Sequence, residues 1–157
     1  MDRNGPHQEV EHIFRELLPG IGMTERPEQI ALCHRLLDAM LNGKIALCDA
    51  GTGIGKTHAF LVAGILFLRY RKAVNLPFRP VVVSTSSIAL QKAIQRDYLP
   101  ALSDIPLRDG LIDESMYGVS GTPFVIKCAI NASSGRLHNV RNQFVLPKRF
   151  TSAGLIA

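Results

Sequence analysis

Residues Ala50 to Thr57 read Ala-Gly-Thr-Gly-Ile-Gly-Lys-Thr, between the apolar run Lys44-Ile45-Ala46-Leu47-Cys48 and a helical pattern that begins near Thr57. Strand, glycine loop, helix is the context of a phosphate-binding loop. Glycines at 51, 53 and 55 let the backbone turn tightly and take positive φ at little steric cost. N–H groups released by such a turn can point inward as an anion nest, at the positive end of the next helix. Lys56 is then placed for the β- and γ-phosphates of a bound nucleotide and the Thr57 hydroxyl for Mg²⁺. The strict pattern has Gly at its first position, where this chain has Ala50.

The chain has 157 residues, 46% hydrophobic and 20% charged, enough for one domain with a real core. Its start is polar and acidic where a leader needs an apolar stretch, so the expectation is no signal peptide. The longest apolar run, Ala59 to Leu68, is far short of the ~20 residues that span a bilayer. It reads as a buried helix, with no membrane partner. Cys33, Cys48 and Cys128 form neither a disulfide framework nor a metal knuckle, which points to a reducing cytoplasm and to small buried hydrophobes. The five histidines, His7, His12, His34, His58 and His138, show no metal-ligand spacing.

Charge is unevenly placed. Acids and bases balance as far as Glu114; after it there is no acid, and Lys127, Arg136, Arg141, Lys148 and Arg149 carry the whole net charge of +5. Such a tail is either a nucleic-acid contact or a solvated segment without a partner. Few aromatics accompany it, so it makes a poor base-stacking platform.

Periodicity supplies the elements. Val10, Ile13, Phe14, Leu17 and Leu18 make the stripe of a short amphipathic helix ended by Pro19-Gly20. Thr24 is the expected cap of a second helix with Pro27 in its first turn, stopped by Asn42-Gly43. Ile45 to Cys48 reads as a short buried strand, and Thr57 to about Lys72 as a helix covered on most sides. Val81-Val82-Val83 has the β-branched pattern of a fully buried strand. Ser86 or Ser87 caps a helix running to about Asp97. Leu111-Ile112 and Phe124-Val125-Ile126 are candidate short strands. Helices alternating with strands predict an α/β fold with a parallel sheet and crossovers.

Three further groups bear on chemistry. Arg26-Pro27-Glu28-Gln29 precedes the loop, and a glutamine amide can pair with the N6 and N7 edge of adenine. Ser84 and Thr85, at the carboxyl end of the second strand, suit phosphate contacts, and Leu90-Gln91 follow on the next helix. Leu111-Ile112-Asp113-Glu114 is the one apolar-apolar-Asp-Glu run that resembles a metal-holding motif; an exposed turn is the alternative.

Arg26 with Gln29, then Asp49 to Thr57, then Val82 to Thr85 with Leu90-Gln91, resemble the opening motifs of DinG/XPD-type superfamily 2 DNA helicases. Ala is common at the first loop position of that family, which accounts for Ala50. The resemblance covers roughly residues 24–113 and implies a P-loop NTPase (RecA-like) parallel sheet with flanking helices, as an incomplete single lobe. It assigns Arg26 and Gln29 to adenine, and Ala50, Gly51, Thr52, Gly53, Ile54, Gly55, Lys56 and Thr57 to ATP–Mg²⁺. Ser84, Thr85 and Gln91 fall to single-stranded DNA. The family's Asp-Glu-Ala-His box is absent, as are the four cysteines of its iron–sulfur insert and its second lobe, so no iron–sulfur cluster is expected. The expected organisation is a helical extension over 1–23, a partial ATP-binding domain over 24–114 and a basic tail over 115–157, the N-terminal part of a truncated helicase. Two other readings remain open: a single-lobe P-loop kinase or ATPase using Asp113-Glu114, and a non-catalytic nucleic-acid-binding remnant.

Overall fold

The computed structural model describes residues 5–77, 81–85, 87–99, 101–102 and 124–128. Asp113, Glu114, Ser86 and most of the basic tail lie outside these residues.

Helix α1 (Gly5–His12) runs on through a π-helical turn, Ile13–Leu17, and a 3₁₀ turn, Pro19–Ile21. The wide turn closes with Leu18 N–H donating to the Ile13 carbonyl at 2.9 Å. Helix α2 (Pro27–Leu41) starts where proline dictates. A residue before proline is pushed out of the helical region, and Arg26 is extended, with φ −136° and ψ 110°. Arg26 is therefore the N-cap, and the expected Thr24 cap is not formed. The far end is a Schellman turn: Lys44 N–H donates to Ala39 O at 2.8 Å and Gly43 N–H to Met40 O at 3.4 Å, with Gly43 at φ 61°.

Helix α3 (Lys56–Ala73) is the spine of the molecule. Ala59, Leu61 to Leu66 and Leu68 are buried, so it is covered on most of its circumference, as its composition predicts. Val10, Ile13 and Phe14 from the first helical segment and Ile30, Cys33 and Leu37 from α2 pack into one apolar core with it. The segment before residue 24 thus shares its core with α2 and α3. Burial pushes the Cys33 thiol strongly up, which keeps it protonated and inert. Cys48 is exposed. Glu9 of α1 forms an ion pair with Arg69 of α3. Burial still raises the Glu9 carboxyl, against the opposing pull of Arg69.

Strand β1 (Val81–Thr85) leads into α4 (Ile88–Ala93), which continues as a π-helical turn, Ile94–Tyr98. The Ser87 side chain caps α4, accepting from Leu90 N–H at 3.1 Å. Strand β2 (Phe124–Cys128) lies parallel to β1, with Val81 opposite Phe124 and Thr85 opposite Cys128. The candidate strand at Phe124 therefore forms; the one at Leu111-Ile112 lies outside the described residues.

Two strand expectations need correction. Val81–Val83 is not fully buried: exposure alternates along β1, and Val82 is 58% exposed. Only one of its faces is covered, which is the period of a half-buried strand. Ile45–Cys48 is not a buried strand. It forms no ladder with either described strand, and Ile45 and Leu47 are 93% and 96% exposed. An apolar run becomes a strand only when neighbours satisfy its edges, and β1 and β2 pair with each other instead.

Candidate phosphate-binding loop

The glycine loop runs from the irregular segment after α2 into the first turn of α3. Gly53 and Gly55 both take φ 83°, the left-handed region that favours glycine. Gly55 is the N-cap of α3, and no side chain caps it. The first N–H groups of a helix have no intrahelical acceptor. Lys56 and Thr57 are the first two helical residues, so the loop delivers them where the helix dipole favours an anion.

Three side chains fix the loop, of which only Gln29 is buried. Arg26 Nη1 donates to the Gly53 carbonyl. Gln29, on the first turn of α2, donates from Nε2 to the Gly55 carbonyl at 2.7 Å. Lys56 turns back, and its Nζ donates to Ala50 O at 2.8 Å and to Gly51 O at 2.6 Å. The ammonium thus lies among the carbonyls of the loop it follows. Gln29 is 4% exposed, so its hydrogen bond is made in a desolvated setting. A Cβ on Gly55 would come within 2.0 Å of Gln29 Nε2, so a side chain here, besides straining φ, would displace the Gln29 amide.

The structure brings Arg26 and Gln29, expected at adenine, to the backbone of the loop. Ala50 and Ile54 pack against the core from below. Gly51, Thr52 and Gly53 are exposed, and Thr57 is half-buried. Ser84 is exposed at the end of β1. Thr85 accepts through Oγ1 from Ser87 N–H at 3.1 Å. Gln91 faces inward, at 6% exposure.

His58 is a residue that ligand spacing passes over. It follows Thr57 on α3 and meets the Tyr98 ring edge-on, 4.8 Å between centres. Burial lowers its proton affinity, and the Arg26 charge lowers it further. It is held as a neutral ring beside the loop. The sequence cue, a histidine directly after Lys-Thr, carries no pattern of its own. Among the described residues no cluster of His, Cys, Asp and Glu is placed to hold a metal ion, and no helix is long and apolar enough to cross a membrane.

Over 95 residues, 60% of its length, the chain is 35% identical to the 3'-5' exonuclease DinG of Bacillus subtilis (strain 168). Over 96 residues it is 25% identical to the proteins of the same name from Staphylococcus aureus strains USA300 and NCTC 8325 / PS 47. This part of the chain is DinG-like. The match takes in 9% of the Bacillus relative and 10% of the Staphylococcus ones, so the chain spans about a tenth of the curated relatives it matches. No family model matches the chain. No solved structure matches it either.

Proposed function

We propose that the DinG-like region is an ATP-binding segment of a DNA helicase, built on a RecA-like parallel sheet. The observation that carries this reading is the loop itself. Two left-handed glycines, an uncapped helix N-terminus and the Lys56 ammonium converge on one short stretch, pinned by Arg26 and Gln29. The donor set fits a triphosphate: backbone N–H groups at the dipole's positive end with one ammonium beside them. In this reading Lys56 exchanges the Ala50 and Gly51 carbonyls for the β- and γ-phosphates. The Thr57 hydroxyl would hold Mg²⁺, which would supply neutralisation of phosphate charge. Arg26 and Gln29 hold the loop and border the adenine. Ser84 and Thr85 meet the phosphates of single-stranded DNA, with Gln91 behind them.

Hydrolysis needs an acid to hold the metal and a group to orient water, usually with an arginine from a second lobe. The sequence lacks the Asp-Glu-Ala-His box of the family it resembles, and we expect nucleotide binding with little or no turnover. Titration calorimetry with ATP–Mg²⁺ on the wild type and Lys56→Ala, with phosphate release followed in the same samples, tests this. Binding that is lost in the variant, without release, is the expected result. Release that depends on Lys56 would overturn the no-turnover reading and put a complete hydrolytic site within the 157 residues. Equal affinity in both proteins would remove the loop from nucleotide binding altogether.

A further inference from the structure

Away from the loop, α1 and α2 are joined by a row of four titratable side chains. His7 Nδ1 lies 2.8 Å from His34 Nδ1. The ring centres are 5.1 Å apart and the planes differ by 25°. With the nitrogens this close and the centres this far apart, both Nδ1 atoms lie on the line between the rings, which meet edge to edge. On the outer sides, His7 Nε2 is 3.0 Å from Asp38 Oδ1 and His34 Nε2 is 2.7 Å from Glu11 Oε1.

Counting protons along this row gives an unusual result. An ionised carboxylate only accepts, so both Nε2 atoms must carry hydrogen. A neutral imidazole has one N–H. Two neutral rings would therefore face each other through two bare Nδ1 lone pairs, at hydrogen-bond distance with no hydrogen between them. Two fully protonated rings would face each other through two N–H groups. Only one extra proton, shared by the pair, makes the contact attractive.

We infer that His7 and His34 jointly hold one proton in an Nδ1–H···Nδ1 bond, and that this proton clasps α1 onto α2. The charges around the pair agree with it. Glu11 is also bound by Arg15, whose Nε lies 2.7 Å from Glu11 Oε2 and 3.6 Å from Glu25 Oε1. Asp38, Glu11, Glu25, Arg15 and the singly protonated pair together carry one net negative charge, against two without the shared proton. The remaining ionic groups on α1 have other partners: His12 with Glu16 and, across to α3, Glu9 with Arg69. Arg35, beside His34 in sequence, is exposed. The inference stands apart from the nucleotide reading, since none of these residues touches the loop.

Ring-nitrogen NMR of the ¹⁵N-labelled full chain, from about pH 5 to about pH 9, tests this directly. The expected spectrum near neutrality has two Nε2–H groups and one exchange-protected proton shared by the two Nδ1 atoms. In His7→Gln that shared proton disappears. Two rings that titrate independently, or two Nδ1 atoms bare throughout the range, would overturn the inference. Urea unfolding of the wild type and His34→Gln gives a second readout. The variant should unfold at lower urea than the wild type, and equal midpoints would sink the clasp.

Discussion

Gly55 meets two demands at once. Its φ of 83° excludes most side chains, and the Gln29 amide fills the place where a Cβ would stand. Gly55→Ala should therefore cost about 1–2 kcal/mol for the left-handed backbone alone, and more for displacing Gln29. Adding Gln29→Ala should return the steric part, so the double variant should be less unstable than the two single losses combined. Urea unfolding of the four proteins measures the coupling, and strict additivity would show that the contact is not tight. His58 gives a pH test at the same scale. Its folded-state proton affinity lies below that of an unfolded histidine. Below pH ~6.5 the unfolded state therefore binds the extra proton, and stability is lost as pH falls from there toward the folded value. His58→Gln should flatten that acid limb of the unfolding curve. The thiols separate by burial: Cys48 should react with a maleimide at once, and Cys33 only on unfolding. Mass spectrometry of the labelled peptides would show the order.

At the scale of the elements, Leu37 is fully buried between α2 and its neighbours, so Leu37→Ala should cost about 2–5 kcal/mol. The cap of α4 is a smaller lever. Ser87→Ala should cost about 1 kcal/mol, since it leaves Leu90 N–H without its acceptor. Thermal or urea unfolding resolves both, and a larger loss for Ser87→Ala than for Leu37→Ala would contradict the core as described. These elements also show what a sequence can disclose. Helix α2 was legible at both ends, because Pro27 starts it and Asn42-Gly43 stops it by chemistry carried in a few adjacent residues. Helix α3 was legible from its apolar length. The cap of α2 was misread as Thr24 because proline's constraint on Arg26 outweighs the capping preference of a nearby threonine. Ile45–Cys48 was misread because a strand is completed by partners far away in sequence. Of the candidate site, the glycine loop was visible as a pattern, whereas Arg26 and Gln29 were assigned to adenine and their hold on the loop backbone was not foreseen. The backbone targets of Arg26, Gln29 and Lys56 depend on how α2 lies against α3, which no local pattern encodes. The His7–His34 pair, 27 residues apart, was invisible for the same reason.

Taken whole, the described molecule is a helical core with a glycine loop leading into α3 and a two-stranded parallel sheet. Its likeness to much longer DinG proteins covers 60% of the chain and about a tenth of theirs. The irregular stretch before the loop sets how such a molecule behaves in company. Ile45 and Leu47 stand almost bare on a backbone that forms no ladder with the described strands. Two large apolar side chains this exposed and this close in sequence are a site at which other chains adhere. Solubility should then be limited by these two side chains rather than by net charge. Ile45→Lys with Leu47→Lys should raise the concentration at which light scattering appears, with the melting temperature unchanged. A drop in melting temperature would instead mean that the stretch is already paired in solution.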